Sequence, residues 1–424
     1  MFISKELSNT IVDPKAYAAW EPIEEAFRTL RRDAPLAKAQ PDGFGDFWVV
    51  TRYEDVRTVE KQNELFHSGD RSPTLLPLKA EDLFRQMTGG SPHLIRSLVQ
   101  MDNPDHFNHR ILTQSWFMPQ NLKKLEDRIR QIARSFVNTM LEKGGECDFA
   151  RDVAFLYPLH VVMEVIGVPE ADEPRMLMLT QQLFGNQDSE VNRDGLKDVS
   201  PEAMAKSLGE VVKDFHEYFS AISEDRRKNP RNDLATIIAN GQVGGEPIKF
   251  FEAMSYYIIA ATAGHDTTSA STASAGWCLA EYPDQFAKVK ADPSLIPGLV
   301  EESIRWETPV KHFMRTATAA TELAGQAIAK DDYVMLAYQS ANRDEDIFDD
   351  PYAFKAERTP NKQIAFGYGP HICLGQHLAR MEMRILWEEL LPRLKSLELN
   401  GTPRRLEATF VSGPKSVPIR FKAA

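Results

Sequence analysis

The chain has 424 residues, 42% of them hydrophobic and 26% charged, which is enough to bury a large core and enclose a cofactor. Its formal net charge of −11 at pH 7 disfavours nucleic acid as a partner. The three cysteines, Cys147, Cys278 and Cys373, are odd in number and widely spaced, which argues against a disulfide framework and favours a reducing compartment.

The first part of the chain predicts a helix, a small strand region and a long irregular segment. Helical periodicity runs through 14–35, a strand candidate lies at 47–52 and a short helix at 53–62. Prolines and glycines break the segment 68–103, and a loop of this length is usually functional or disordered. The N-terminus lacks the apolar core of a signal peptide.

Helices dominate the rest of the chain. They are predicted at about 104–118, 121–143, 152–167, 171–187, 200–228, 248–281 and 295–307, and from Cys373 to about Leu391. Short strands are predicted at 310–340 and near the end. The longest nearly apolar run, 253–264, is too short to span a bilayer, so we expect a soluble, cytoplasmic protein.

No linker or repeat divides the sequence. We therefore expect a single domain over 1–424, mainly α with a small β portion. The strand-rich portion is expected at roughly 36–66 and 310–340, with the helical body making up the remainder.

Cys373 lies in the segment FGYGPHICLGQHLAR, between a glycine-rich loop and a helical pattern. We expect its thiol to ionise readily, because a helix dipole and a nearby histidine favour the thiolate. The glycines let the backbone turn tightly and approach a flat partner, and Phe366 can shield the sulfur from water. This pattern favours a thiolate bound to iron over one that attacks a substrate, although a lone cysteine is most often a small buried hydrophobe.

The predicted helix 248–281 contains the segment AGHDTT, which begins at Ala263. Thr267 follows Ala263 by four residues, so its hydroxyl can bond the Ala263 carbonyl. The small Ala263 and Gly264 leave a groove that suits a diatomic ligand, and Asp266 beside Thr267 can relay protons into a dry pocket. For an isolated threonine pair, the alternative is a tolerated kink with a buried hydroxyl.

Two sets of charged residues accompany these segments. Glu302 and Arg305 are three residues apart and can form a salt bridge on one helix face. The other set suits two carboxylates, because arginine offers a fork of donors. Its members, each an ordinary surface charge when taken alone, are His106, Arg110, Arg315 and His371.

Together these segments resemble soluble bacterial cytochromes P-450 over essentially the whole chain. The Cys373 segment resembles the family's haem-ligand loop, and AGHDTT resembles its oxygen-binding motif. Segments such as GECDF and CLGQHLARMEM resemble the subgroup that oxidises α-terpineol and related terpenoid or alkyl-aromatic compounds. The resemblance implies the cytochrome P-450 fold, a triangular helical body that holds the haem between the oxygen-motif helix and the cysteine-loop helix.

The resemblance also implies a role for each residue. Haem b is the implied cofactor, with Cys373 as its iron ligand and Asp266 and Thr267 as catalytic proton relay. Its propionates are bound by His106, Arg110, Arg315 and His371. Its other contacts are Phe366, Gly367, Gly375, Ala263 and Gly264. Glu302, Arg305 and Arg358 have an implied structural role, in which they hold the loop that contains Cys373 against the core. By position, the substrate contacts are Ile95, Leu98, Val99, Ile259, Thr262, Ala263, Val310, Phe313 and Val411. The segment 68–103 and the polar stretch near 186–200 are expected to shape the pocket.

The implied activity is hydroxylation of a small hydrophobic substrate with O2 and two electrons. The electrons are expected from a [2Fe–2S] ferredoxin with its flavoprotein reductase, and the protein is expected to be a monomer without nucleic-acid or membrane partners. A basic patch that steers the ferredoxin is expected from His109, Lys123, Lys124, Arg128, Arg380 and Arg384. The alternatives are a haem-thiolate ligand-binding or sensor protein without turnover and a peroxide-driven peroxygenase. The role of His265 stays open, with an interhelical hydrogen bond as the simplest interpretation.

Overall fold

The computed structural model describes residues 1–195 and 200–424 of the chain. In the N-terminal half, the helices are α1 (Lys5–Val12), α2 (Pro14–Ala19), α3 (Glu21–Asp33), α4 (Tyr53–Lys61), α5 (Leu78–Thr88), α6 (Asp105–Gln114), α7 (Pro119–Leu122), α8 (Glu126–Glu142), α9 (Leu156–Ile166) and α10 (Glu173–Phe184). They continue with α11 (Pro201–Lys228), α12 (Leu234–Ala239), α13 (Phe250–Glu281), α14 (Pro283–Ala291), α15 (Ile296–Glu307), α16 (Tyr338–Ala341) and α17 (Gln376–Leu390). Short 3₁₀ turns and one π-helical segment, Ala150–Ala154, join several of them.

Helix α13 is the centre of the molecule. Most of its side chains between Glu252 and Ala280 are buried, because alanine, serine, threonine and glycine let other helices approach it closely. It packs on α9, α10, α11, α15 and α17. The helix ends at Glu281 because Pro283 disfavours helical backbone at the residue before it.

The strands form one mixed sheet and several small antiparallel ones. They are β1 (Leu36–Ala39), β2 (Phe47–Val50), β3 (Phe66–His67), β4 (Glu146–Asp148), β5 (Gln242–Val243), β6 (Glu246–Pro247), β7 (His312–Ala317), β8 (Thr321–Leu323), β9 (Gln326–Ile328), β10 (Tyr333–Ala337), β11 (Leu394–Leu399), β12 (Arg404–Arg405), β13 (Pro414–Ser416) and β14 (Pro418–Ala423). The largest sheet has the order β1-β2-β10-β7-β3 and pairs only β2 with β10 in parallel. A second sheet has the order β11-β14-β4.

The side chains of the largest sheet alternate between two apolar clusters. Trp48 and Val50 of β2 pack on one face, and Phe47 and Val49 pack on the other, with α3. The largest cluster lies in the helical body and joins α8, α9, α13, α15 and α17. Strand β7 of this sheet carries Arg315, which lies near α6 and the loop that contains Cys373.

The structure confirms a mainly α protein with a small β portion and differs from the sequence expectation in some elements. The segment 68–103 is not all irregular, since α5 forms between its prolines. Helices α12 and α14 were not predicted, whereas β11 to β14 confirm the short strands expected near the end of the chain. The polar stretch near 186–200 was expected to shape the pocket, and its residues 196–199 lie outside the described residues. The single domain stays a prediction.

No helix within the described ranges has both the length and the apolar character that a bilayer-spanning segment requires.

Candidate active site

A cavity of about 420 Å³ lies between α13 and the loop that precedes α17. Ala263, Gly264 and Thr267 of α13 form one wall, and Cys373 and Gly375 belong to the facing loop. The rest is largely apolar, as is typical of small-molecule sites. All the side chains expected to contact substrate line it: Ile95, Leu98, Val99, Ile259, Thr262, Ala263, Val310, Phe313 and Val411.

Sequence reasoning missed an aromatic part of this wall. Phe184 and Phe410 line the cavity with ring centroids 6.1 Å apart, and Phe410 lies 5.4 Å from Phe313. Phe84 of α5 also lines it. Of these phenylalanines, only Phe313 was predicted from the sequence, because it lies just before Arg315. Phe84, Phe184 and Phe410 reach the cavity through tertiary packing, which the local sequence does not show.

The cysteine loop turns tightly, as its glycines predict. Gly367 and Gly369 have φ values of 72° and 68°, which glycine adopts without strain. A Cβ on Gly369 would lie 2.5 Å from the Glu60 carbonyl oxygen, so any side chain there would displace the loop. The Cys373 N–H donates to the Phe366 carbonyl at 2.8 Å, which closes the loop beneath the sulfur.

The expectation that the Cys373 thiol ionises readily is wrong for the protein without a metal. Burial raises its pKa, and backbone N–H groups of Gly375 and Gln376 and the charge of Arg110 offset this only in part. Helix α17 begins at Gln376, so the sulfur is not in its first turn. A coordinated metal changes this balance, because it deprotonates a ligating thiol outright.

The four residues expected to bind carboxylates all line the cavity on one side. Arg110 donates to the Ile372 carbonyl at 2.8 Å, and Arg315 donates to the Met314 carbonyl at 2.9 Å. The rings of His106 and His371 lie 4.1 Å apart. Burial and the nearby arginines lower the pKa of His106 to about 4 and that of His371 to about 2. Without a bound carboxylate the two histidines are therefore neutral, unlike the cations expected from the sequence.

These residues fit haem. The Nε2 atom of His106 is buried and has no hydrogen-bond partner in the described part of the chain, so a ligand carboxylate would satisfy it. Arg110 and Arg315 each keep further N–H donors beyond the single bond given above. A flat apolar group with two carboxylates, held over a thiol, matches this donor set and the apolar walls. His106, Arg110, Arg315 and His371 would hold the carboxylates, and Cys373 would hold the iron.

The AGHDTT segment behaves locally as its spacing predicts. Thr267 Oγ1 donates to the Ala263 carbonyl at 2.8 Å, which confirms the expected bond. Gly264 has a second role that the sequence did not show. A Cβ there would lie 2.5 Å from Val162 Cγ2, so glycine lets α9 pack against α13.

Asp266 faces a different space from Thr267. It lines a second cavity, of about 280 Å³, whose other residues include Gln181, Arg151 and Lys415. Its Oδ2 atom is buried without a hydrogen-bond partner in the part of the chain that the structure describes. The acid and the alcohol thus lie on opposite sides of the wall between the two cavities, adjacent in sequence.

Glu302, Arg305 and Arg358 form a buried ionic cluster. Arg305 makes two 2.8 Å bonds to the Glu302 carboxylate, and Arg358 Nε lies 3.0 Å from Oε2. The guanidinium of Arg305 also donates to the carbonyls of Asn342 and Pro351. The cluster ties α15 to the irregular segment that leads to the cysteine loop.

Glu302→Ala is expected to destabilise the protein by about 3–5 kcal/mol, because it leaves two buried arginines without their counter-charge. Glu302 and Arg305 have no exposed side-chain area. The free energy of unfolding, measured by urea titration of the haem-loaded protein, checks this value.

Glu25→Ala is the matched control, since Glu25 and Arg28 form another Glu–Arg pair three residues apart on a helix. This pair is mostly exposed, so its loss is expected to cost less than about 1 kcal/mol. Equal costs for the two variants would contradict a structural role for the buried cluster.

The expected basic patch for a ferredoxin is largely wrong. His109 is buried and bonds the Asp105 carbonyl and Glu252, because its face of α6 packs on α13. Three of the arginines are already paired with carboxylates: Arg128 with Glu164, Arg380 with Glu301, and Arg384 with Glu126 and Glu388. Lys123 and Lys124 are exposed, as expected.

Comparison with known proteins agrees with this site. A cytochrome P450 family model matches residues 79–421. The chain is 46% identical over 422 residues to cytochrome P450-terp from a Pseudomonas species, covering 100% of this chain and 99% of the relative. It is 31% identical to linalool 8-monooxygenase from Pseudomonas putida, covering 96% and 97%. The solved structure of CYP108D1 from Novosphingobium aromaticivorans DSM12444 matches with a TM-score of 0.92 at 48% identity, covering 100% of both chains.

These findings confirm the resemblance inferred from the sequence. The stretch that the family model matches begins in α5 and ends in the last strand, so it takes in both walls of the cavity. The chain therefore belongs to the cytochrome P450 family, whose monooxygenases bind haem iron through a cysteine thiolate.

Proposed function

We propose that the protein hydroxylates a small hydrophobic substrate, a monoterpenoid or an alkyl-aromatic compound, with O2 and two electrons. The observation that carries the proposal is the single cavity that joins Cys373 and Thr267 to the apolar walls. One of the relatives is named for oxidation of linalool, a monoterpenoid alcohol, which supports a substrate of this size and polarity.

Bound haem supplies the oxygen chemistry, and the chain supplies binding, orientation and protons. Cys373 would ligate the iron. Arg110 and Arg315 would fix the orientation of the flat group through its two carboxylates, because their N–H groups form fixed forks that match carboxylate geometry. His106 and His371 would add ring N–H donors to the same carboxylates.

Thr267 is placed to pass protons into the cavity. Its hydroxyl proton is used on the Ala263 carbonyl at rest, so its oxygen is open to accept a hydrogen bond from a group in the cavity. When the hydroxyl turns away from that carbonyl, it donates a proton into the cavity. Asp266, next to it in sequence, takes a proton from the second cavity and restores it to Thr267 when its side chain turns toward the hydroxyl.

The apolar contacts keep the cavity dry and hold the substrate near Thr267. Ile95, Leu98 and Val99 come from the segment between α5 and α6, and Val310 and Val411 pair across two loops. Exclusion of water strengthens each polar interaction inside the site and limits side reactions. The aromatic group around Phe410 gives the far end of the cavity a rigid wall.

The electrons are proposed to come from a [2Fe–2S] ferredoxin served by a flavoprotein reductase, as is common among soluble bacterial members of the family. Of the expected docking cations, exposed Lys123 and Lys124 are the ones that this proposal keeps. A monomeric state and a cytoplasmic location are part of the same proposal.

A spectral titration followed by product analysis tests the function. We expect monoterpenols and alkylbenzenes to shift the haem spectrum, and one oxygen atom from labelled O2 to enter the product when ferredoxin, reductase and NADH are present. Steroids are the control class and should not shift the spectrum. Tight steroid binding without any response to the small compounds would overturn the proposed substrate class, and product formation that needs only peroxide would overturn the electron route.

A further inference from the structure

His265, in the middle of α13, contacts three separate parts of the molecule. The side chain is fully buried, with 0% of its area exposed. Its Nε2 lies 2.9 Å from the Phe155 carbonyl oxygen, at the start of α9. Its Nδ1 lies 3.1 Å from the Thr180 hydroxyl of α10 and 3.4 Å from Asp266 Oδ2. The interhelical bond expected from the sequence is therefore present, and one contact reaches the acid of the relay.

The neighbours of the ring accept hydrogen bonds at both nitrogens. A carbonyl can only accept, so Nε2 carries a proton that points to Phe155. The Thr180 hydroxyl lies 3.1 Å from the Leu177 carbonyl oxygen, and when it donates its proton there it presents an oxygen lone pair to Nδ1. A proton on Nδ1 would lie between this oxygen and Asp266 Oδ2. Without that proton, two lone pairs would face each other in a buried space, which is unfavourable.

His265 is also the one basic side chain within salt-bridge distance of Asp266 in residues 1–195 and 200–424. The Asp266 Oδ2 atom is buried and has no hydrogen bond of normal length there. Lys415 lines the same cavity, but its Nζ bonds Asp188 and Glu190 instead. An ionised Asp266 would therefore lack a counter-charge unless His265 supplied it.

We propose that His265 is a positioning residue of the proton relay. Its doubly protonated ring holds Asp266 ionised, with the carboxylate at the second cavity, so that it can take a proton there and, when the side chain turns toward Thr267, pass the proton on. The inference rests on the proposed relay of Asp266 and Thr267. It gives His265 a role in coupling electrons to product, in addition to joining α13 to α9 and α10.

A double-mutant cycle distinguishes this role from a purely structural one, in which His265 only joins α13 to α9 and α10. His265→Phe fills the same space without donors, and Asp266→Asn removes the acid. Each is expected to lower product formed per NADH by about tenfold or more, since general acid–base groups typically contribute at least that much. If His265 acts through Asp266, the double variant is no worse than Asp266→Asn, whereas independent roles would multiply the two losses.

Thr180→Val is the matched control. It removes the hydroxyl between α10 and His265 but leaves the contact with Asp266. Its coupling is expected to stay close to that of the parent, because the contact between His265 and Asp266 remains. If Thr180→Val lowers coupling as much as His265→Phe, the loss comes from the weakened packing of the helices, and the proposal is wrong.

A spectroscopic measurement reports the protonation state of the His265 ring directly. Nitrogen-15 NMR of histidine-labelled holoenzyme, in its diamagnetic ferrous carbon monoxide form at neutral pH, should show a signal from His265 protonated at both nitrogens, besides that of His160, whose pKa is raised by its hydrogen bond to Glu173. The His265 signal should vanish in His265→Phe and change to a single neutral tautomer in Asp266→Asn. A neutral His265 in the parent protein would overturn the proposal even if His265→Phe failed to fold.

Different results would overturn the relay of Asp266 and Thr267 and the role of His265 in it. Unchanged coupling in Asp266→Asn would remove the relay itself, and this inference with it. A large loss in Asp266→Asn with none in His265→Phe would overturn the role of His265 alone.

Discussion

Cys373→His is expected to yield a protein that binds haem and has lost monooxygenase turnover to background. Imidazole is a good iron ligand, and the arginines and apolar walls that hold the flat group are unchanged. A neutral imidazole donates far less electron density than a thiolate, and this donation is what favours O–O cleavage. The reduced carbon monoxide adduct should accordingly change from the thiolate type to the type seen with histidine ligation.

Cys147→Ser is the matched control for this experiment. Cys147 is the other half-buried cysteine, on β4, and it does not line the cavity. The carbon monoxide spectrum and the turnover of the Cys147→Ser variant are expected to equal those of the parent protein. Turnover at the parent rate in Cys373→His would reject the thiolate as the working ligand, and a carbon monoxide spectrum unchanged by that substitution would show that a different residue ligates the iron.

Features that depend on spacing along one element were predictable from the sequence. The bond from Thr267 to Ala263 follows from a four-residue interval on a helix, and the pair of Glu302 and Arg305 follows from an interval of three. The positive φ angles in the cysteine loop follow from its glycines. Arg358, far along the chain from Glu302, was found only through the family resemblance, since no local pattern joins them.

Features that depend on burial were not predictable. The sequence shows a histidine near Cys373, but not that burial and two arginines keep His371 neutral. It shows His109 on a helix, but not that this face packs on α13. The opposite directions of Asp266 and Thr267 depend on which elements surround α13, and the second cavity is built partly by β13, far along the chain. Charge and exposure arise from tertiary packing, which a single sequence encodes only indirectly.

Helix α5 shows how a strong local signal can mislead. Prolines at 73, 77 and 92 and the glycines at 89 and 90 made the whole segment 68–103 look irregular. In the structure Pro77 precedes the helix, and Gly89 caps its C-terminus in the left-handed conformation. The same residues therefore mark the ends of an element.

Thr267→Ala is expected to keep the haem spectrum of the parent while diverting most reducing equivalents to hydrogen peroxide. Thr267 does not touch Cys373 or the carboxylate-binding side, so haem binding should not change. Loss of the hydroxyl should slow proton delivery by on the order of 10²-fold, the lower end of what general acid–base groups contribute. Hydrogen peroxide also takes up two protons, but water can supply them without a positioned hydroxyl, so its release should then compete successfully with product formation. Peroxide yield and product per NADH measure the outcome.

Thr267→Ser distinguishes the hydroxyl from the packing of the side chain. Serine keeps the donor and loses one methyl group, so it can still bond the Ala263 carbonyl and turn toward the cavity. Its coupling should lie much closer to the parent than to Thr267→Ala. If the serine variant were as uncoupled as the alanine variant, the methyl group and the water it excludes would matter more than the proton, and the relay assigned to Thr267 would be wrong. If both variants kept full coupling, protons would reach the cavity by a route that does not include Thr267.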